Sequence, residues 1–133
     1  MPRAFRELDV WHVAMELATE IYKVSEAFPK HELYGLTSQI RRCAVSVPSN
    51  IAEGSQRATS RDYANFITIA KGSTAELETQ LILALRLGYL NESTFQHVEG
   101  LSFRVARMLS KLSSVLRTAS REEREKRITR ATR

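Results

Sequence analysis

Cysteine, glycine and proline are scarce in this chain. One cysteine, Cys43, five glycines and three prolines stand among 133 residues. A single cysteine excludes an intramolecular disulfide framework and the Cys-rich zinc motifs. So few glycines and prolines disfavour a loop-rich all-β fold and favour long helices. The longest apolar run, Leu81 to Leu85, stops at Arg86, far short of the roughly 20 residues that a membrane-spanning helix needs. The opening segment MPRAFRELDVW is charged and has no apolar core, so it does not read as a secretory signal, and a cytoplasmic protein is the expectation. Signatures of chemistry are also missing: there is no Gly-rich phosphate loop, no nucleophile elbow and no HExxH helix. The residues three before His12, His31 and His97 are Asp9, Phe28 and Thr94, so the Glu-x-x-His pairs of a di-iron bundle are absent. His12 and Glu16 share a helix face, which reads as a surface contact. No catalytic group, metal or cofactor is expected, and Cys43 reads as a buried structural thiol.

What is present is ordinary for a single soluble domain: 43% apolar and 26% charged residues, with a net charge of +5. The charge is uneven. From Thr118 to Arg133 there are six cationic and three acidic residues, against 14 and 12 in the rest of the chain. Residues 118–133 form a basic tail, flexible or a helical extension. Such a tail either touches nucleic acid or anionic lipid, or serves as a solvating end.

Four amphipathic segments precede it. Val10, Val13, Leu17, Ile21, Val24 and Phe28 recur at the three- and four-residue spacing of one helix face. Asp9 is a candidate cap there, and Pro29 a stop. The second segment carries Leu36, Ile40, Cys43, Val47 and Ile51, with Gly54 as a candidate residue just past its C-terminus. The third, capped by Thr59 or Ser60, carries Phe66, Ala70, Thr74, Leu77, Leu81 and Ala84; Gly88 loosens its end. The fourth follows caps at Asn91 or Ser93 and carries Phe95, Val98, Leu101, Val105, Leu109, Leu112 and Leu116. The reading is all-α: an antiparallel up-down four-helix bundle over residues 1–117, with helices at about 9–28, 34–54, 60–89 and 93–117, because short connections make successive helices antiparallel neighbours.

Apolar residues also lie off the stripes: Trp11, Met15 and Tyr22 in the first helix, and Ile69, Ile82, Leu83 and Leu87 in the third. They predict a subunit interface. Pro48 stands inside the second segment, where proline removes an N–H and crowds the carbonyl four residues back. The stripe keeps its phase across it, which predicts one kinked helix. The kink shapes the bundle or its oligomer interface, with Ser46 or Ser49 helping the freed backbone. Cations fall into two groups. Arg104, Arg107 and Lys111 share a face of the fourth helix and could track phosphates. Arg41, Arg42, Arg57 and Arg61 cluster on the second and third helices. The Arg41–Arg42 doublet fits two roles, a nucleic-acid contact or a pairing with Glu76 or Glu78. Aromatic residues are little interleaved with these cations, so sequence readout by stacking is not expected.

The segments Phe28-Pro29, Leu33-Tyr34-Gly35-Leu36, Pro48-Ser49-Asn50-Ile51-Ala52-Glu53-Gly54 and Glu76-Leu77-Glu78-Thr79-Gln80 carry a further signal. In order and spacing they resemble the four-helix-bundle proteins of intervening sequences in bacterial 23S rRNA genes, called intervening-sequence or ribosomal-type proteins. The accessory variability determinant of diversity-generating retroelements is a relative of that family. The resemblance runs from about Phe5 to Leu116. It implies a bundle assembled as a ring, a homopentamer, and no enzymatic activity. The retroelement relative implies nucleic acid and a reverse transcriptase as partners. The resulting expectation is a non-enzymatic homo-oligomer that binds RNA or DNA electrostatically through Arg41, Arg42, Arg57, Arg61, Arg104, Arg107 and Lys111, with little sequence specificity. The alternative is a protein–protein adaptor, for example for a reverse transcriptase.

Overall fold

The computed structural model describes residues 4–132. Residues 1–3 and Arg133 lie outside them, and with them the start of MPRAFRELDVW and the last cation of the basic tail. The described residues form four α-helices and no strand: α1 (Asp9–Ser25), α2 (Leu36–Ser55), α3 (Ser60–Arg86) and α4 (Glu92–Ala131). Short 3-10 turns at Ala4–Glu7 and Lys30–Glu32 precede α1 and α2. Each helix packs on two neighbours. α1 lies between α2 and α4, and α3 lies opposite it between the same two. Contacts set the directions: Gly54 faces Phe66 and Ser46 faces Ser73, so α2 and α3 run antiparallel.

The apolar stripes meet in a single core. Leu17 and Ile21 of α1, Ile40, Val47 and Ile51 of α2, Ile67, Leu77 and Leu81 of α3, and Val98, Val105 and Leu109 of α4 are fully buried. Each such side chain contributes about 1.5–3 kcal/mol by leaving water. Cys43 is buried between α2 and α3, where its thiol donates to the Ser73 carbonyl at 3.1 Å. Burial pushes that thiol up to about 12, with the Glu76 carboxylate adding to the shift.

Helix ends explain where the elements differ from the spacing-based boundaries. α1 stops at Ser25, and Phe28 reaches the core from the following turn. Leu8 rather than Asp9 occupies its N-cap position, and Asp9 begins the first turn. Thr59 and Asn91 do cap α3 and α4, their side chains accepting from the Asp62 N–H at 3.1 Å and the Thr94 N–H at 2.8 Å. α3 ends at Arg86. There the Gly88 N–H donates to Leu85 and the Tyr89 N–H to Ala84, the double closure of a Schellman motif. Gly88 supplies the positive φ of 79° that this closure needs.

Gly54 requires a correction. It lies inside α2, with no positive φ, and does not follow the helix end. A Cβ there would stand 2.8 Å from Phe66 Cβ and 3.0 Å from Tyr63 Cδ1. Close approach of α2 to α3 is what requires glycine. Pro48 is buried within an unbroken α2. Ser46 turns to α3, its hydroxyl 2.8 Å from that of Ser73, and Ser49 is exposed. The Asn50 amide, one turn on, donates to the Ser46 carbonyl at 2.7 Å.

A latch joins the α1–α2 connection to the end of α3. Tyr89 donates its hydroxyl to Glu32 Oε2 at 2.8 Å, while Glu32 Oε1 accepts from the Leu36 N–H at 3.1 Å and so caps α2. The Tyr89 hydrogen bond, then the Leu36 amide, holds the Glu32 carboxyl below its usual range. The same hydrogen bond pushes the Tyr89 phenol up. A carboxylate with a lowered folded pKa stabilises above its unfolded pKa and loses that contribution as pH falls through the folded one. A phenol with a raised pKa stabilises below its unfolded pKa and loses its contribution as pH rises. The latch therefore works around neutrality. The melting-temperature gap between wild type and Glu32→Gln is expected to be widest near pH 7 and to close as pH falls below the glutamate range. A gap of constant size across that range would exclude the latch.

Candidate nucleic-acid interface

The seven candidate cations do not form one surface. Arg41 is turned inward across the α1–α2 contact. Its Nε donates to Ser25 Oγ at 2.8 Å and its Nη2 to the Tyr22 carbonyl at 3.2 Å, and its guanidinium lies 4.9 Å from the Tyr22 ring centre. Ser25 is only 2% exposed, so Arg41 satisfies a buried hydroxyl. Arg42, its neighbour on α2, is exposed and borders the same depression as Arg41. Among the described residues, no carboxylate of Glu76 or Glu78 lies within 4.0 Å of either arginine. The doublet thus splits: Arg41 ties α1 to α2, and Arg42 faces water. Arg41→Ala is expected to cost about 1–2 kcal/mol of stability, from its charged hydrogen bonds and its stacking, with nucleic-acid affinity unchanged. Urea denaturation and a binding titration on the same protein check this; weakened affinity at full stability would reverse the assignment.

Arg57 is exposed at the end of α2. It pairs with Glu53 at 3.3 Å and lies 4.5 Å from the centre of the Phe66 ring. An exposed pair of this kind adds only about 0.3–0.5 kcal/mol, so Arg57 remains able to exchange Glu53 for a phosphate. Arg104, Arg107 and Lys111 are exposed along one face of α4. Among the described residues none has a carboxylate within 4.0 Å. Arg107 borders a shallow depression of about 590 Å³ with Gly100, Phe103, Ala106 and Ser110.

Arg61 has company that the spacing arguments missed. α4 continues through residues 118–131, and Glu123 accepts hydrogen bonds from both the backbone N–H and the hydroxyl of Ser60 at the start of α3. This sets Lys126, Arg127 and Arg130 around the same cleft as Arg61. A signal was available: Ser120, Glu123, Arg127 and Arg130 continue the phase of the buried positions Leu109, Ser113 and Leu116. The stripe turns polar but keeps facing α3.

The off-stripe apolar residues of α1 line a groove with α2. Phe5, Trp11, Met15, Tyr22, Val45 and Pro48 border about 540 Å³ of open space. Tyr22 and Val45 also border the next depression, where Leu33, Tyr34 and Arg42 stand. Tyr34 is 93% exposed. Tyr34 and Arg42 border the same depression.

A family model described as "23S rRNA-intervening sequence protein" matches residues 6–111. The chain belongs to this family. The family match covers α1 to α3 and about half of α4, and it ends before the polar continuation of the stripe. Among solved structures, the fold is similar to a protein of unknown function from the S23 ribosomal protein family of Bacteroides thetaiotaomicron. The two share 24% identity and a TM-score of 0.71, over 78% of this chain and 97% of that one. A search of curated proteins returns no match. Among the described residues, no helix is long and apolar enough to cross a membrane.

Proposed function

We propose that the protein is a non-enzymatic, self-associating helical bundle that binds RNA or DNA through phosphate contacts with little sequence specificity. The observation that carries this reading is the face of Arg104, Arg107 and Lys111, exposed on α4 with no carboxylate beside it among the described residues. Arg42, Arg57 and Arg61 are exposed as well. The apolar groove lies on α1 and α2, away from that face. Copies that associate through the groove keep Arg104, Arg107 and Lys111 of α4 in solvent, and a closed ring, of five copies by family resemblance, multiplies a modest charge per subunit. Phosphate binding of this kind shows a steep salt dependence, with a slope of about 0.7–0.9 per neutralised phosphate in a plot of log affinity against log salt.

The test uses nucleic-acid-free protein with labelled RNA and DNA of several sequences between about 50 and 200 mM salt. The expected result is similar affinity for all sequences and a common steep slope that becomes shallower in Arg104→Ala/Lys111→Ala. Absence of binding at the lowest salt would sink the reading. Light scattering tests self-association. A strictly monomeric protein would favour a second reading, an adaptor that seats a partner protein on the apolar groove. The near-complete exposure of Tyr34 at the groove's end supports that alternative.

A further inference from the structure

We infer that the cleft between the start of α3 and the polar end of α4 is a seat for nucleic-acid phosphates, with Glu123 as its built-in competitor. The inference rests on the nucleic-acid reading above and assigns it a second, separate site. The cleft encloses about 460 Å³ and is lined by four cations, Arg61, Lys126, Arg127 and Arg130, against two carboxylates, Asp62 and Glu123. Its remaining lining residues, Thr59 and Ser120, carry hydroxyls, so no lining side chain is apolar. An amphipathic lipid-binding surface needs an apolar face. A row of guanidinium groups suits the phosphodiester backbone.

An anion already occupies part of the cleft. The Glu123 carboxylate accepts from the Ser60 N–H at 3.3 Å and from the Ser60 hydroxyl. Those hydrogen bonds, led by that from the hydroxyl, hold its carboxyl below the usual range, and the nearby Arg127 and Lys126 add to the effect. A negative group is therefore stable here, beside the positive end of a 27-residue helix. Glu123 cannot neutralise all four cations. It fastens the end of α4 to α3 and gathers Arg61, Lys126, Arg127 and Arg130 on one cleft, whose lining carries two more cations than carboxylates once Asp62 is counted, while Glu122 and Glu125 border Lys126 and Arg130 in the adjoining depression. A phosphate entering beside it gains the cations and meets the repulsion of Glu123. The carboxylate lowers affinity while its Ser60 hydrogen bonds maintain the shape of the site.

The experiment is fluorescence anisotropy of a labelled RNA of about 20 nucleotides with the full chain, from about 50 to 200 mM salt. Arg127→Ala/Arg130→Ala, Glu123→Gln and the stripe control Arg104→Ala/Lys111→Ala are compared with wild type, and circular dichroism verifies the helices. The cleft double variant is expected to lower the slope by about 0.7 for each phosphate left without its cation. Glu123→Gln, which retains an oxygen for Ser60 but no charge, is expected to bind about two- to fivefold more tightly, the effect of one exposed charge. A wild-type slope in Arg127→Ala/Arg130→Ala, together with a reduced slope in the stripe control, would overturn the cleft and leave the general reading intact. Weaker binding by Glu123→Gln would overturn its role as competitor. Cleft-dependent binding to phosphatidylserine vesicles without RNA binding would overturn both the cleft's assignment and the general reading.

Discussion

Leu77→Ala unfolds about 2–5 kcal/mol more easily than wild type, the cost of a cavity in a packed interior. Leu77 lies near the middle of α3 and is fully buried among core residues of the other helices. α3 is held on both sides by α2 and α4, so it has little freedom to collapse into the vacated space, and the upper half of that range is expected. For a chain of this size the melting temperature falls by about 4 °C per kcal/mol. Protein concentration is held constant, so that the self-association proposed above would not enter the comparison through mass action. Val115→Ala, on the exposed side of α4, is expected to change stability by no more than about 0.5 kcal/mol. Equal losses at the two positions would mean that the buried face of the bundle is assigned wrongly.

Gly54→Ala is expected to cost about 1–3 kcal/mol, although alanine favours helix. The added methyl would overlap Phe66 Cβ and crowd Tyr63 Cδ1, at 2.8 and 3.0 Å, and relief requires α2 and α3 to move apart. Gly72 provides the contrast. It lies in α3 with nothing within 4 Å of an added Cβ, so Gly72→Ala should stabilise by about 0.5–1 kcal/mol through backbone entropy alone. A second substitution sharpens the test. Phe66→Ala keeps the offending Cβ and should not rescue Gly54→Ala. Its failure to do so in a double-mutant cycle separates a contact between helix surfaces from a clash with the ring. Stabilisation by Gly54→Ala would overturn the close approach.

The core was legible because burial on a helix follows spacing. Leu17, Ile21, Ile40, Val47, Leu77, Leu81, Val98 and Leu109 all lie where the stripes put them. Local chemistry was legible too: the hydroxyl of Thr59 and the amide of Asn91 are short polar groups one step before an apolar repeat. What the spacing left open depends on partners remote in sequence. Gly54 is one example, because a glycine near a helix end looks the same whether it frees the backbone or admits a neighbouring helix. Arg41 is another: a doublet on a helix points two ways, and only the position of Ser25 and Tyr22 decides which arginine turns inward. Glu123 was obscured by its charged surroundings, although its phase with Leu116 marked the side that faces α3. Pairing with Glu76 or Glu78, one of the two roles open to the doublet, does not form within the chain among the described residues, since charge complementarity in a sequence carries no distance.

The order in which the helices pack bears on how the chain folds. Three of the four packed pairs, α1 with α2, α2 with α3 and α3 with α4, join consecutive helices, and only α1 on α4 connects distant parts of the chain. Consecutive pairs need only short loops to close, the arrangement that gives rapid folding. The α1–α4 contact must close nearly the whole chain, but loop entropy rises only logarithmically with length, by about 0.6 kcal/mol for each doubling. Once the three hairpins exist, most of that entropy is already spent. The α1–α4 contact is the one of greatest sequence separation, and a chain that lacked it would expose part of the apolar stripes of its two outer helices.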